Sequence, residues 1–181
     1  MTLRRALAKS INTVAVKLSL KAGREVVLAD LEKMGIRHLK KTCSLALGDN
    51  GMTPLEHVGG YAVFAAGGLE VRPYGIEEIR TLSGELLYNH DRDEPKRKRI
   101  FKRKSVEQLN SMLHTVTVAG TGRRAQLDYT NVAGKTGTST AYRDAWFMGF
   151  TGQYVTGVWL GNDDFRPMAR VTGGSFPAQT W

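Results

Sequence analysis

A single cysteine, Cys43, stands among 181 residues, which excludes an internal disulfide and leaves the redox compartment open. A free cysteine behaves as a small hydrophobe, so Cys43 is expected to be a buried structural thiol. Long apolar runs are missing too. Residues 61–69 (YAVFAAGGL) are broken by two glycines and residues 145–150 (AWFMGF) are too short, whereas a membrane-crossing helix needs ~20 apolar residues. The opening stretch MTLRRALAKSINTVAV interrupts any signal-like core with polar residues, so this chain is expected neither to anchor nor to export itself. His38, His57, His90 and His114 share no ligand spacing, and no metal site is expected.

An even basic surface is also missing. The chain carries 26 basic and 17 acidic side chains, a net +9. Residues 1–90 hold 12 and 9 of these, residues 105–181 hold 6 and 5, and residues 91–104 (DRDEPKRKRIFKRK) hold 8 and 3. More than half the excess therefore sits in one proline-containing stretch, a local basic loop and not a basic face. It reads as a solvated insertion, with an anionic polymer or lipid headgroups as the contact open to it. A basic nucleic-acid-binding module rests on the net charge alone and would show a steeply salt-dependent association. No nucleic acid is expected as a partner.

What is present is ordinary globular material, 41% hydrophobic and 24% charged, enough for one domain or part of a larger one. Leu3, Leu7, Ile11, Val14 and Leu18 recur at helical spacing, which predicts a helix over 2–22 with a break near Ser10. A second helix is expected over 24–34, closed by Gly35. Residues 36–52 look irregular. Thr53-Pro54-Leu55-Glu56 is a helix start, with Thr as N-cap, Pro in the first turn and Glu completing a capping box; Gly67-Gly68 stops that helix. Residues 76–82 and 85–88 flank Ser83-Gly84 as a hairpin. Ser105 with Gln108 suggests another capping box, opening a helix that ends at Gly120. Residues 131–139, 145–150 and 154–161 are strand candidates joined by tight connections, so they must pair antiparallel. The fold class is α+β, helices first and then an antiparallel meander.

Two short motifs could carry chemistry. Gly134-Lys135-Thr136-Gly137-Thr138 contains Gly-Lys-Thr, but a phosphate loop needs a glycine where Tyr129 stands and a helix opening after it, not a strand. Lys-Thr-Gly on an edge strand has another use. The glycine lets a ligand lie close along the strand, while lysine and threonine meet its negative group. Ser10-Ile11-Asn12 sets a hydroxyl and an amide two residues apart at the helix break; alone, it reads as a helix cap or turn.

Taken together, Ser-x-Asn followed by Lys-Thr-Gly makes two thirds of the motif set of penicillin-recognising acyltransferases, whose third member is Ser-x-x-Lys. The stretches LRRALAKSINTVAVKL, SLALGDNGMTPLEHVGGYAVFAAGG, AGTGRRAQ, NVAGKTGTST, YRDAWFMGFTGQYVTGVWLGNDD and TGGSFPAQTW occur in order across almost the whole chain. In them the sequence closely resembles the C-terminal part of the transpeptidase domain of class A, bifunctional penicillin-binding proteins. The resemblance implies an incomplete transpeptidase fold of the penicillin-binding-protein and serine β-lactamase type over residues 1–181. It also implies a parent enzyme at the periplasmic, extracytoplasmic face of the membrane that cross-links peptidoglycan stem peptides through a serine acyl-enzyme, without a cofactor.

None of the eight serines is followed three residues later by lysine, so the acylated serine and its lysine base are absent from this chain. In the family they lie upstream, with a strand of the sheet and a glycosyltransferase domain, so the missing N-terminal part is an expected partner. Carried over from the family, Ser10 would relay a proton between base and leaving group. Asn12 would hold the side-chain amide of a stem peptide or β-lactam. Lys135 would face the substrate's terminal carboxylate with the hydroxyls of Thr136 and Thr138 beside Gly137, and the Thr138 N–H would be half of an oxyanion hole. A serine β-lactamase-like hydrolase shares both motifs and is the competing enzyme reading. Elsewhere, Trp146, Phe147, Phe150 and Trp159 are expected in the core on the two sheet faces. Asp163-Asp164 should be a solvated strand end, and Arg123-Arg124 either lines the cleft or forms a surface pair.

Overall fold

The apolar stripe at the N-terminus forms two helices, divided where the sequence suggests. In the computed structural model, which describes residues 1–181, α1 (Leu3–Ala8) opens with Thr2 Oγ1 accepting the Arg5 N–H at 3.3 Å. The chain then turns at Ser10, whose φ is 53°. Left-handed backbone is unfavourable for a residue with a Cβ. Here it is held by Ser10 N–H to Leu7 O and Ile11 N–H to Ala6 O, both at 3.0 Å. α2 (Asn12–Ala22) restarts at once and α3 (Arg24–Lys33) follows. Residues 36–52 are irregular apart from a 3-10 turn at Leu45–Leu47. Cys43 lies in that stretch and is exposed, not buried. Leu45 takes the interior place there, and Cys43 Sγ sits 3.6 Å from Arg24 Nη1 instead.

α4 (Pro54–Ala65) begins with the capping box its sequence announces. Thr53 N–H donates to Glu56 Oε2 at 2.8 Å, and Glu56 N–H donates to Thr53 Oγ1 at 3.2 Å. A hairpin follows, β1 (Glu78–Arg80) antiparallel to β2 (Leu86–Asn89). The expected basic loop over 91–104 is more ordered than its charge suggests. A short helix α5 (His90–Asp93) opens it. The chain then returns along the end of α4, with Glu70 N–H to Lys98 O at 2.7 Å and Ile100 N–H to Gly68 O at 2.9 Å.

α6 (Arg103–Ala119) starts at Arg103, with Lys102 as N-cap and no side-chain cap. The Ser105–Gln108 capping box is therefore not formed. The bonds to Gly68 fix the chain just before Lys102, so the helix propagates a turn earlier than its side-chain signal. Arg103 and Glu107 then pair at 2.8 Å along the first turns, an exposed contact of small value.

The meander has the expected order. β3 (Ala133–Thr138), β4 (Asp144–Phe150) and β5 (Val155–Gly161) form one antiparallel sheet, β3-β4-β5. Strand side chains alternate between faces, and two cores result. On one face Phe150 and Ala133 pack with Leu113 of α6, bordered by Tyr61 and Phe64 of α4. On the other, Phe147 packs with Ala125, Ala178 and Trp181. A C-terminal helix, α7 (Phe176–Thr180), covers this second face, and Trp181 Nε1 donates to Thr156 O at 3.0 Å. Phe147 and Phe150 are core as expected. Trp146 is half-buried, but Trp159 is 38% exposed. It lies opposite Trp146 on the edge strand β5, where its Nε1 reaches Asp144 Oδ1 at 3.1 Å. Asp163 and Asp164 are exposed beyond β5.

The two helix starts separate in mutation. Thr53→Ala should cost about 1 kcal/mol through loss of its cap, whereas Ser105→Ala should stay within about 0.5 kcal/mol. Urea denaturation of both variants checks this; equal losses would mean that Ser105 caps α6 after all.

Candidate active site

Register places the Lys-Thr-Gly residues before any side-chain contact is considered. Lys135 is opposite Met148, Thr136 opposite Phe147 and Thr138 opposite Ala145. Lys135 therefore leaves one side of β3, while Thr136 and Thr138 leave the other. Because β3 is an edge strand, both sides border the same open edge.

Lys135 Nζ donates to Ser10 Oγ at 2.8 Å and to Thr136 O at 3.0 Å. Ser10 can meet it because the left-handed turn ends α1 there. α1 is itself fixed to α6 by Arg4 Nη1, which donates to Ser111 O at 2.7 Å and to Thr115 Oγ1 at 2.9 Å. Burial disfavours the charged ammonium, and desolvation pushes the Lys135 pKa down to about 8. At neutral pH it remains mostly a cation.

The hydroxyls form a second layer. Thr136 Oγ1 is 2.7 Å from Thr121 Oγ1, and Thr138 Oγ1 accepts the Gly173 N–H at 3.0 Å. A cleft of about 410 Å³ is lined by Ser10, Thr121, Thr136, Thr138, Thr172 and Gly174. Its lining is one serine, four threonines and a glycine, so hydroxyls share the wall with threonine methyl groups and no large apolar side chain enters it. A cleft so lined, with an ammonium at its edge, suits a small anionic ligand held by hydrogen bonds.

Ser10, Lys135, Thr136 and Thr138 are thus brought together from segments 125 or more positions apart in the chain. Gly137 lies under the C-terminal loop; a Cβ at Gly173 would run into Gly137 O and Trp146 O. Asn12 opens α2 at an exposed position two residues beyond Ser10, outside the cleft lining. Arg123 and Arg124 form an exposed pair on the 3-10 turn Arg123–Ala125, also outside it. Sequence reasoning missed Thr121, Thr172 and Gly174. The available signal was the density of threonine and glycine in Gly120-Thr121-Gly122 and Thr172-Gly173-Gly174.

Comparison with known proteins bears on the family and the fold. The model of the penicillin binding protein transpeptidase domain matches residues 1–164. Penicillin-binding protein 1A of Aquifex aeolicus is 42% identical over 175 residues, which are 97% of this chain and 24% of that protein. The crystal structure of penicillin-binding protein 1A from Haemophilus influenzae superposes with a TM-score of 0.86 at 28% identity, over 98% of this chain and 33% of that one. The PonA1 protein from Mycobacterium tuberculosis, solved in complex with penicillin V, shares the fold with a TM-score of 0.88 at 22% identity, over 99% of this chain and 54% of that one. The chain belongs to the penicillin-binding protein transpeptidase domain family. It spans about a quarter of the length of the Aquifex relative, and no helix is long and apolar enough to cross a membrane.

A lysine pKa depressed by folding gives stability a definite pH dependence. Between about 8 and the ordinary lysine value of 10.5, the unfolded state holds the proton more tightly than the folded one. Stability should therefore rise as pH increases through that window. Lys135→Met should flatten the rise, and the Lys135 Cε resonance should titrate near 8. A midpoint above 10 would mean that the ammonium is solvated and the contact with Ser10 only transient.

Proposed function

We propose that this chain supplies the Ser-x-Asn and Lys-Thr-Gly half of a serine-type D-Ala-D-Ala transpeptidase site, and that residues 1–181 are the C-terminal portion of that domain. The observation that carries the reading is the 2.8 Å hydrogen bond from Lys135 Nζ to Ser10 Oγ, which joins the two motifs across 125 residues of sequence. The substrate is a peptidoglycan stem peptide ending in D-Ala-D-Ala, and β-lactams compete for the same cleft. The complete enzyme works at the periplasmic side of the membrane.

Each group has a role that follows from acyl transfer. A serine of a Ser-x-x-Lys segment, contributed by the rest of the parent enzyme, attacks the peptide carbonyl. Lys135 and the hydroxyls of Thr136 and Thr138 hold the terminal carboxylate, fixing the scissile bond against that serine. Ser10, hydrogen-bonded to Lys135, passes the proton to the departing amine. Asn12 orients the side-chain amide of the substrate, and the Thr138 N–H stabilises the oxyanion beside the N–H of the nucleophile; one such donor is worth about 3–4 kcal/mol in the transition state. The acyl-enzyme is then resolved by a neighbouring stem amine.

Without a Ser-x-x-Lys pair this chain alone should form no covalent adduct with a fluorescent penicillin. Joined to the upstream part of the Aquifex relative it should be labelled, on the upstream part. In that joined protein Lys135→Ala and Asn12→Ala should each slow labelling by about 100-fold or more, with little change in thermal stability. A stoichiometric labelled band from the chain alone would show a nucleophile elsewhere. Rapid turnover of penicillin by the joined protein would favour the hydrolase.

A further inference from the structure

The hydrogen-bond pattern around Thr136 assigns work to a residue that neither motif contains. Thr121 belongs to the turn between α6 and the 3-10 turn Arg123–Ala125, and three neighbours fix it. Its N–H donates to Ala8 O at 3.0 Å, two residues before Ser10. A Cβ added at Gly174 would press on its carbonyl oxygen. Its Oγ1 lies 2.7 Å from Thr136 Oγ1. Backbone and side chain together thus tie this one residue to the end of α1, the edge strand and the C-terminal loop, and it lines the cleft with them.

A hydroxyl has one proton to give and two lone pairs to receive with. Thr138 Oγ1 already accepts the Gly173 N–H at 3.0 Å, a donor that cannot reverse its direction. The Thr138 proton is therefore free to be donated elsewhere. Thr136 is in the same position only if its oxygen accepts from Thr121. Were the bond reversed, the Thr136 proton would point at Thr121 and its lone pairs at the anion, repelling it. An anionic ligand in the cleft selects the first arrangement.

We propose that Thr121 is a positioning residue: it donates its proton to Thr136 Oγ1 and so aims the Thr136 proton into the cleft, at the carboxylate of the substrate. The assignment rests on the transpeptidase reading above. It makes carboxylate recognition a matched pair of hydroxyls, each with its acceptor side occupied by a protein donor, beside the Lys135 ammonium.

The test uses this chain in place of the matching segment of the Aquifex relative, acylated by benzylpenicillin and by its methyl ester, which lacks the anionic group. Thr121→Val keeps the shape and removes the proton. It should slow acylation by the free acid about tenfold or more, the scale of one hydrogen bond to a charged group, and leave the methyl-ester rate unchanged. Thr121→Ser should restore the free-acid rate. An equal slowing of acid and ester would make Thr121 a purely structural residue, and no slowing of either would make the contact inert; each result overturns the proposal. An unmutated hybrid that no penicillin acylates would instead remove the transpeptidase reading itself, and this assignment with it.

Discussion

The hydrogen bond between Lys135 and Ser10 is the contact on which the geometry of the cleft depends, and it is made by two residues 125 positions apart in the chain. Neither holds its place unaided. Lys135 is set by its pairing opposite Met148 in a strand whose partner β4 is buried on both faces. Ser10 is set by a left-handed turn, and that turn is set by α1, which Arg4 ties to α6. α6 in turn lies against β3: Thr117 Oγ1 donates to Val132 O at 2.8 Å immediately before the strand begins. The path from Lys135 through strand, α6 and α1 back to Ser10 is closed, so a shift in any member moves both ends of the site together.

Close approach of backbone to backbone is the second requirement. A side chain at Gly134 would meet Met148 O at 2.6 Å and the Phe147 ring at 2.7 Å, which would push β3 off β4 just before Lys135. Gly173 does the same work from outside the sheet. Its backbone lies directly on Gly137 and Trp146, and that proximity lets its N–H reach Thr138. The site is thus walled by short side chains on closely packed main chain, which have less freedom to lose than long side chains when a ligand arrives.

Much of this was legible from residue spacing because the signals are local. The Thr53-Pro54-Leu55-Glu56 start, the stop at Gly120 and the three meander strands each depend on neighbours within a few positions, and each forms. The failures share one cause, which is distance in sequence. α6 begins a turn before Ser105 because Gly68 fixes residues 100 and 101. α7 has only five residues, too few to stand by propensity alone, and exists because Phe147 and Trp181 pack edge to face at 5.4 Å. Trp159 is more exposed than its aromatic ring suggests because β5 ends the sheet. Thr121 escapes for the same reason: fifteen residues separate it from Thr136, and the Gly120-Thr121-Gly122 composition marks a tight turn without naming that partner.

Electrostatics then explains why such a cleft should prefer an anion. The ion pairs of the chain lie on its surface, at pairs such as Lys41–Glu25 and Arg166–Asp164, where each contributes little. Lys135 is different. It is half-buried, its proton affinity is lowered by desolvation alone, and its hydrogen-bond partners are a neutral hydroxyl and a carbonyl. A cation taken out of water without a carboxylate beside it has lost solvation that no neighbouring charge restores. An anion entering the cleft supplies that charge and raises the lysine's proton affinity as it binds. The cost of desolvating Lys135 is met by folding before a ligand arrives, so the attraction to a carboxylate acts at the reduced dielectric of the cleft and not at that of bulk water.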